Sequence, residues 1–272
     1  ALFAGFCVSV FVPRSAAGST VRLDIPYGTG LKKISRMLSE NKLIRYRFTF
    51  EAYAFITGKY KKLRAGEYEF TARDSTASIL SKMVRGDVVT HDITFTEGSD
   101  IFDMAQLLQA RGVADSQEFL ALCNDAAFLK SVGINYPKAE GFLFPDTYKF
   151  LKNEGAKKVI AVMYSKFREK SGLDPERTYV IQGKNYKGYS VLKMASIIEK
   201  EAKVSSERRV ISGVFYNRLR GKDKALKKLQ SCATIQYIFL KRDGIIKEKL
   251  SIEDTKVKSP YNTYENEGLP PG

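Results

Sequence analysis

Two glutamates, Glu199 and Glu201, stand two positions apart inside the stretch 191–220, which reads VLKMASIIEKEAKVSSERRVISGVFYNRLR. A carboxyl group can donate and recover a proton near neutral pH when burial disfavours its charged form and raises its pKa. The residues just before the pair, Ala195, Ser196, Ile197 and Ile198, are small or apolar, so a glutamate closing this segment stands to be partly desolvated. Leu192, Ala195, Ile198 and Ala202 recur at spacings of three and four, which predicts a helix with one apolar face. On such a helix Glu199 and Glu201 diverge by about 200° and are not expected to face one substrate together. One is a candidate for a cleft, the other for solvent or a lysine partner. An ordinary charged helix face is the alternative reading of the whole triplet.

Other chemistries find little support. The single histidine, His91, falls in a run at 88–95 that reads as a strand, so it is taken as structural and a Ser-His-Asp triad is set aside. Cys7, Cys123 and Cys232 are odd in number and too widely spaced for a zinc ribbon or a CxxC site, and no metal or cofactor is expected. The 45 Lys and Arg against 30 Asp and Glu give a net charge of +15, which favours an acidic partner: nucleic acid, membrane surface or acidic polymer. The lysines are spread along the chain, as in KYKK, KKLR and KALKK, rather than massed in one recognition element, which argues against nucleic acid. There is no Trp, but 15 Tyr and 17 Phe can pack on sugar rings.

The elements that must position these groups read as α+β. Residues 20–25 alternate as a strand, and Pro26, Gly28 and Gly30 make a turn. Helices follow on Leu31, Ile34, Leu38 and Leu43 and over 48–57, then a strand at 67–71, a helix capped by Ser75 and ended by Gly86, and the strand 88–95. Beyond that, helices are expected over 100–111, from an N-cap at Ser116, and through most of 154–220 with a break at 183–189. Ser205 or Ser206 is expected to cap the last of these, with Val210, Val214, Phe215 and Leu219 on its inner side. The opening ALFAGFCVSVFVP is apolar and uncharged, bounded by Pro13 and Arg14. It is too short to span a bilayer alone, so residues 1–13 are expected to be the outer end of a clipped membrane anchor, with a buried strand or helix as the alternative.

Four stretches occur in a specific order: EGFLFPDTY at 140–148, ASIIEKEA at 195–202, VFYNRL with LQS at 214–219 and 229–231, and SPYNTY…GLPPG at 259–272. With LRAGEYEF at 63–70 and TFTEG at 94–98, they resemble the YceG-like endolytic murein transglycosylase family over almost the whole chain. The resemblance implies a small LysM-like α+β subdomain at 20–96 and a mixed, largely helical catalytic domain at 97–272. It implies a single-pass inner-membrane protein acting outside the cytoplasm on peptidoglycan glycan strands, with peptidoglycan synthases as candidate partners. It implies lytic cleavage of the MurNAc-β-1,4-GlcNAc bond to 1,6-anhydro ends, with Glu201, the second glutamate of EKE, as acid and then base. One carboxyl suffices for that chemistry, unlike the pair of most glycoside hydrolases.

Glu140, Tyr148, Asn217, Gln230, Tyr261 and Asn262 lie in the matching stretches and are candidate substrate contacts. For Glu140, bracing the loop before Pro145 is the alternative; for Asn217, a helix-anchoring hydrogen bond. The family usually carries Asp-Pro where this chain has Cys232-Ala233, and a C-terminal segment beyond GLPPG, so this sequence is expected to be cut short at that end. A non-catalytic glycan-binding wall protein is the competing function.

Overall fold

The alternation of Val21, Leu23 and Ile25 places one face of a strand inward, and Leu23 and Ile25 are buried. In a computed structural model that describes residues 2–14, 20–221 and 227–272, this strand, β1 (Thr20–Ile25), pairs antiparallel with β2 (Gly66–Thr71), in register from Thr20 opposite Thr71 to Ile25 opposite Gly66. The chain divides into two compact units. The first takes Ala1–Ile93 together with Leu108–Ala114 and Thr147–Gly155; the second takes Thr94–Leu107, Asp115–Asp146 and Ala156–Gly272.

In the first unit, α1 (Leu2–Phe11) precedes β1, and α2 (Leu31–Glu40) and α3 (Arg47–Ile56) lie between the paired strands. α4 (Thr76–Arg85) follows, capped by Ser75, whose hydroxyl accepts from Ser78 N at 3.1 Å, and closed by Gly86 in the left-handed region. Ile34, Leu38, Phe50, Tyr68, Phe70 and Leu80 fill one core. A polar seam of small side chains joins the helices. Ser9 Oγ donates to Thr49 Oγ1 at 3.0 Å, and Thr76 Oγ1 donates to Ser9 O at 3.1 Å. Among the described residues no helix is long and apolar enough to cross a membrane.

The run expected as one strand at 88–95 is divided. Val88 makes an isolated bridge to Tyr68, whereas β3 (His91–Thr94) pairs with β4 (Thr147–Phe150). Two different partners claim the two ends, so the ladder cannot be continuous. His91 is structural, with Nε2 2.9 Å from Glu67 Oε2.

The second unit is mainly helical. α5 (Ile101–Ala110) is capped by Asp100, whose Oδ1 accepts from Phe102 N and Asp103 N at 2.9 and 3.0 Å. α6 (Ser116–Leu122) is capped by Asp115 rather than Ser116, because the Asp115 carboxylate reaches Glu118 N at 2.8 Å. α7 (Ala126–Val132) and α8 (Ala156–Lys170) follow. The break before the next helix is a hairpin, β5 (Thr178–Ile181) with β6 (Lys184–Lys187), turned by Gln182 and Gly183, both at positive φ.

α9 (Gly188–Glu201) carries the EKE triplet; α10 (Arg208–Arg220) packs on its inner face through Met194, Ile197 and Phe215, with Leu229 in the same core, and α11 (Cys232–Asp243) also packs against α9. The inner side of α10 is Ile211, Phe215, Tyr216 and Leu219; Val210 and Val214 are exposed, against expectation. Phe142 stands at the centre of an aromatic cluster, with the rings of Tyr136, Tyr189 and Phe167 at 5.2, 5.6 and 5.6 Å. Cys7, Cys123 and Cys232 are free thiols.

α9 begins without a side-chain cap. Its first N–H groups are met by backbone instead: Gly188 N donates to Arg177 O at 2.8 Å and Tyr189 N to Pro175 O at 2.9 Å. This requires the 174–177 loop to lie against the helix, and a Cβ on Gly188 would fall 2.0 Å from Asp174 O and 2.9 Å from Pro175 Cα. Both contacts are with backbone, which cannot swing away. Gly188→Ala is therefore expected to destabilise the chain by about 3 kcal/mol, read as a lowered melting temperature, whereas Gly213→Ala, which meets nothing, should not.

Candidate active site

The second unit holds a cleft of about 1080 Å³. Of the α9 face that the periodicity assigned to the core, Leu192 and Ala195 line it instead, while Ile198 is buried in the core and also borders the cleft. Glu199 and Glu201 both line it too. The expectation that only one would do so is corrected: the cleft is broad enough to take in more than one side of the last helical turn.

Glu201 is the last residue of α9, and its carboxylate lies at the start of α11. Oε1 accepts from Ser231 Oγ at 2.5 Å and from Ala233 N at 3.0 Å. Ser231 is the residue that should cap α11, yet its hydroxyl makes no cap bond; it donates to Glu201, and Glu201 serves as the acceptor for the first turn. Ser231 is itself fixed. Its N–H donates to Thr263 Oγ1 at 3.0 Å, Thr234 Oγ1 donates to its carbonyl at 2.8 Å, and the two threonine hydroxyls meet at 2.8 Å. Since Thr234 spends its proton on Ser231 O, Thr263 is the donor between them. Among the described residues, Oε2 of Glu201 has no hydrogen-bond partner.

A further carboxyl in the lining, Glu140, is open to the cleft but otherwise enclosed by Asp100, Ile101 and Tyr237. Tyr237 Oη donates to its Oε2 at a long 3.5 Å. Burial pushes the Glu140 carboxyl up to about 7; the nearby Asp100 charge adds to the rise, while the Ile101 N–H, the Tyr237 hydroxyl and Lys200 oppose it. Burial and the same carboxyl push the Tyr237 hydroxyl up. Tyr261 also lines the cleft. Its ring lies 5.3 Å from that of Tyr237, Lys138 donates to its hydroxyl, and Lys138 and Lys241 sit over its face at 4.9 and 5.1 Å. The GLPPG segment closes on α9, where Lys193 Nζ donates to Pro270 O at 3.0 Å.

Glu201, Glu140 and Tyr261 are thus brought to one cleft, and the other expected contacts are not. Tyr148 is buried in the first unit, on β4, stacked on Phe150 at 5.5 Å. Asn217 is exposed on α10, where its Oδ1 accepts from Arg220 NH2 at 3.1 Å, the helix-anchoring alternative. Gln230 is exposed and at positive φ, with its N–H donating to Thr263 O at 3.0 Å. Asn262 is fully buried: its amide donates to Thr255 O and Val257 O at 2.9 and 2.7 Å, and its Oδ1 accepts from Tyr264 N. It braces the loop that presents Tyr261 and Thr263. Ser231, Tyr237 and Thr263 were missed. Ser231 carried a signal, a hydroxyl just before a helix, but nothing in sequence aims it at Glu201.

These features define an α+β protein whose larger, helical unit carries a carboxyl-lined cleft. The chain belongs to the YceG-like family, whose sequence pattern matches residues 23–272. It is 28% identical to a Bacillus subtilis protein named endolytic murein transglycosylase, over 93% of this chain and 72% of that one. A Streptococcus pneumoniae strain D39 protein of the same name is 30% identical over 93% of this chain, which spans about half, 49%, of its length. A 2.6 Å crystal structure of a YceG-like protein from Listeria monocytogenes superposes with a TM-score of 0.53 at 28% identity, covering 94% of this chain and 85% of that one.

The raised carboxyl of Glu140 has a consequence for stability. From about pH 4.5, the ordinary value, to about pH 7, the folded chain keeps a proton here that the unfolded chain has released. Stability therefore falls as pH rises through that window, by up to about 3 kcal/mol from this group. Glu140→Gln cannot ionise. Its melting temperature is expected to match the parent below the window and exceed it above, in a thermal melt series across that range.

Proposed function

We propose that this chain is an endolytic lytic transglycosylase that cleaves the MurNAc-β-1,4-GlcNAc bond of peptidoglycan, with Glu201 as acid and then base. The observation that carries this reading is the division of labour on one carboxylate that lines the cleft: Oε1 is held by Ser231 and Ala233, while Oε2 has no hydrogen-bond partner among the described residues. A group held on one oxygen can present the other to a substrate at a fixed angle. Protonated Glu201 gives its proton to the glycosidic oxygen as the bond to C1 breaks, with the substrate's N-acetyl group sharing the developing charge. The carboxylate then takes the proton of the muramic C6 hydroxyl as O6 bonds to C1, which closes the 1,6-anhydro ring. Water enters neither step. Glu140 and Tyr261 are read as glycan contacts, the latter through its ring face.

The β1–α2–α3–β2 order with an antiparallel strand pair supports reading the first unit as LysM-like. The same feature favours the second reading, a non-catalytic glycan-binding wall protein. We place the protein at the inner membrane with the catalytic unit outside and residues 1–13 as the end of a single span, on the apolar character of that segment. Fractionation of the full-length protein into the cytoplasm would count against this placement.

Digestion of purified sacculi followed by mass analysis separates the two functions. Anhydro-ended fragments are expected; reducing ends that carry oxygen-18 from solvent would show hydrolysis, and no release would favour binding alone. Glu201→Gln keeps shape and acceptor capacity but cannot cycle a proton, so activity should fall by about 10²–10⁴ with little change in melting temperature. Glu199→Gln should retain most activity, because Glu199 lines the cleft without the Ser231 and Ala233 contacts that fix Glu201.

Ser231→Ala tests the anchoring of the carboxylate. It removes one of the two hydrogen bonds on Oε1, about 0.5–1.5 kcal/mol, so kcat on sacculi is expected to drop by about two- to tenfold. Ser231→Thr, which restores a hydroxyl, should recover part of the loss. Unchanged kcat in Ser231→Ala would remove the bond from the mechanism.

A further inference from the structure

α3 has two apolar faces, and its neighbours cover only one. Thr49, Phe50 and Ala54 are buried against the first unit's core. Phe48, Ala52, Phe55 and Ile56 follow at i, i+4, i+7 and i+8, so they form a second stripe down the opposite side. Its large members are 74%, 67% and 73% exposed for Phe48, Phe55 and Ile56. Tyr46, just before the helix, is 64% exposed. Phe55 stacks on Tyr60 at 5.3 Å, which extends the apolar surface past the helix end. Three large apolar side chains at helical spacing on the outer face of one short helix differ from the scattered single residues any surface carries.

Charge surrounds the stripe. Arg45 and Arg47 stand exposed at its start, and Lys61 and Lys62 beyond its end. Glu51 is the one acidic residue within α3, and it is engaged by Ser35 Oγ and, at 3.9 Å, by Arg47. Aromatic and aliphatic side chains framed by cations, of which only Arg47 has an acidic partner among the described residues, match the boundary of an anionic bilayer, where rings sit at head-group level and lysine and arginine meet phosphate. A protein partner's helix would also cover an apolar stripe, but it would not call for cations at both ends.

We propose that the outer face of α3 seats the first unit on an anionic membrane surface, with Phe48, Phe55 and Ile56 entering the interface and Arg45, Arg47, Lys61 and Lys62 binding head groups. The contact is separate from any span formed by residues 1–13 and does not depend on the glycan-cleaving reading. It would hold the first unit flat against the bilayer rather than tethered above it.

The chain has no Trp, so Phe55→Trp in this 272-residue chain provides a single fluorescent reporter at the stripe. Vesicles of phosphatidylglycerol should shift its emission to the blue, and brominated acyl chains should quench it. Val180→Trp, at an exposed site on β5 in the other unit, should show neither effect. In the reporter protein, Phe48→Asp with Ile56→Asp should abolish quenching, and Lys61→Glu with Lys62→Glu should weaken binding about tenfold or more. Melting temperatures should hold, since all these side chains are exposed. Co-sedimentation with vesicles while the reporter stays unquenched would place the contact elsewhere and overturn the proposal. So would failure to bind phosphatidylglycerol, equal binding to neutral phosphatidylcholine, or a concentration-dependent blue shift without vesicles, the last marking contact between copies of the chain.

Discussion

The end of α9 and the beginning of α11 meet through one carboxylate, and much of the second unit is arranged to hold that meeting. A helix start leaves N–H groups without partners, and α11 satisfies its own with Glu201 rather than with its capping serine. That exchange frees the Ser231 hydroxyl to donate to the same oxygen. Ser231 is then gripped by Thr263 and Thr234, and Thr263 is carried on a loop that Asn262 braces from within. The Glu201 carboxylate is therefore positioned by a backbone N–H and a chain of buried hydroxyls. A side chain set by packing alone would keep more rotamers.

The other wall of the cleft works on a different principle. Burial dominates at Glu140: the Ile101 N–H and a long bond from Tyr237 reach it, and it shares its surroundings with Asp100. Glu201 and Glu140, two of the carboxyl groups that line one cavity, thus receive unlike treatment, one bound on a single oxygen at a helix start and the other desolvated beside a tyrosine. Unlike environments for like groups are how a site gives them different tasks.

Local signals carried well into the structure where a single interaction decided the element. Ser75 and Gly86 bound α4 because a cap and a left-handed glycine act through the nearest backbone. The alternation of β1 held because one face is buried. Signals failed where a choice among faces or partners was needed. α10 carries apolar residues on several sides, so Val210 and Val214 could be read inward although Ile211 and Tyr216 are the ones that pack. The Leu192 and Ala195 face of α9 is as apolar as a core face, yet it lines the cleft. In the site, Glu201 was legible through its motif, whereas Tyr148 and Tyr237 are the same residue type and only their folded surroundings assign one to a core and the other to the cleft. Asn262 lies in a matching motif, but its amide is spent entirely on backbone.

β3 and β4 are neighbours in space but about fifty residues apart along the chain, and the segment between them belongs largely to the other unit. During synthesis the first unit's β1, β2 and helices can associate early, but the edge of β3 must wait until Thr147–Phe150 has emerged. Closing so long a loop adds only a modest entropic cost, so the finished fold loses little. The cost is in time: an open strand edge persists while much of the cleft-bearing unit is being made, and such edges are where growing chains pair with the wrong partner. Charged residues along that edge, Asp92 on β3 and Lys149 on β4, which sit 3.6 Å apart in the finished pair, give the waiting strand a reason to reject other edges and to recognise its own.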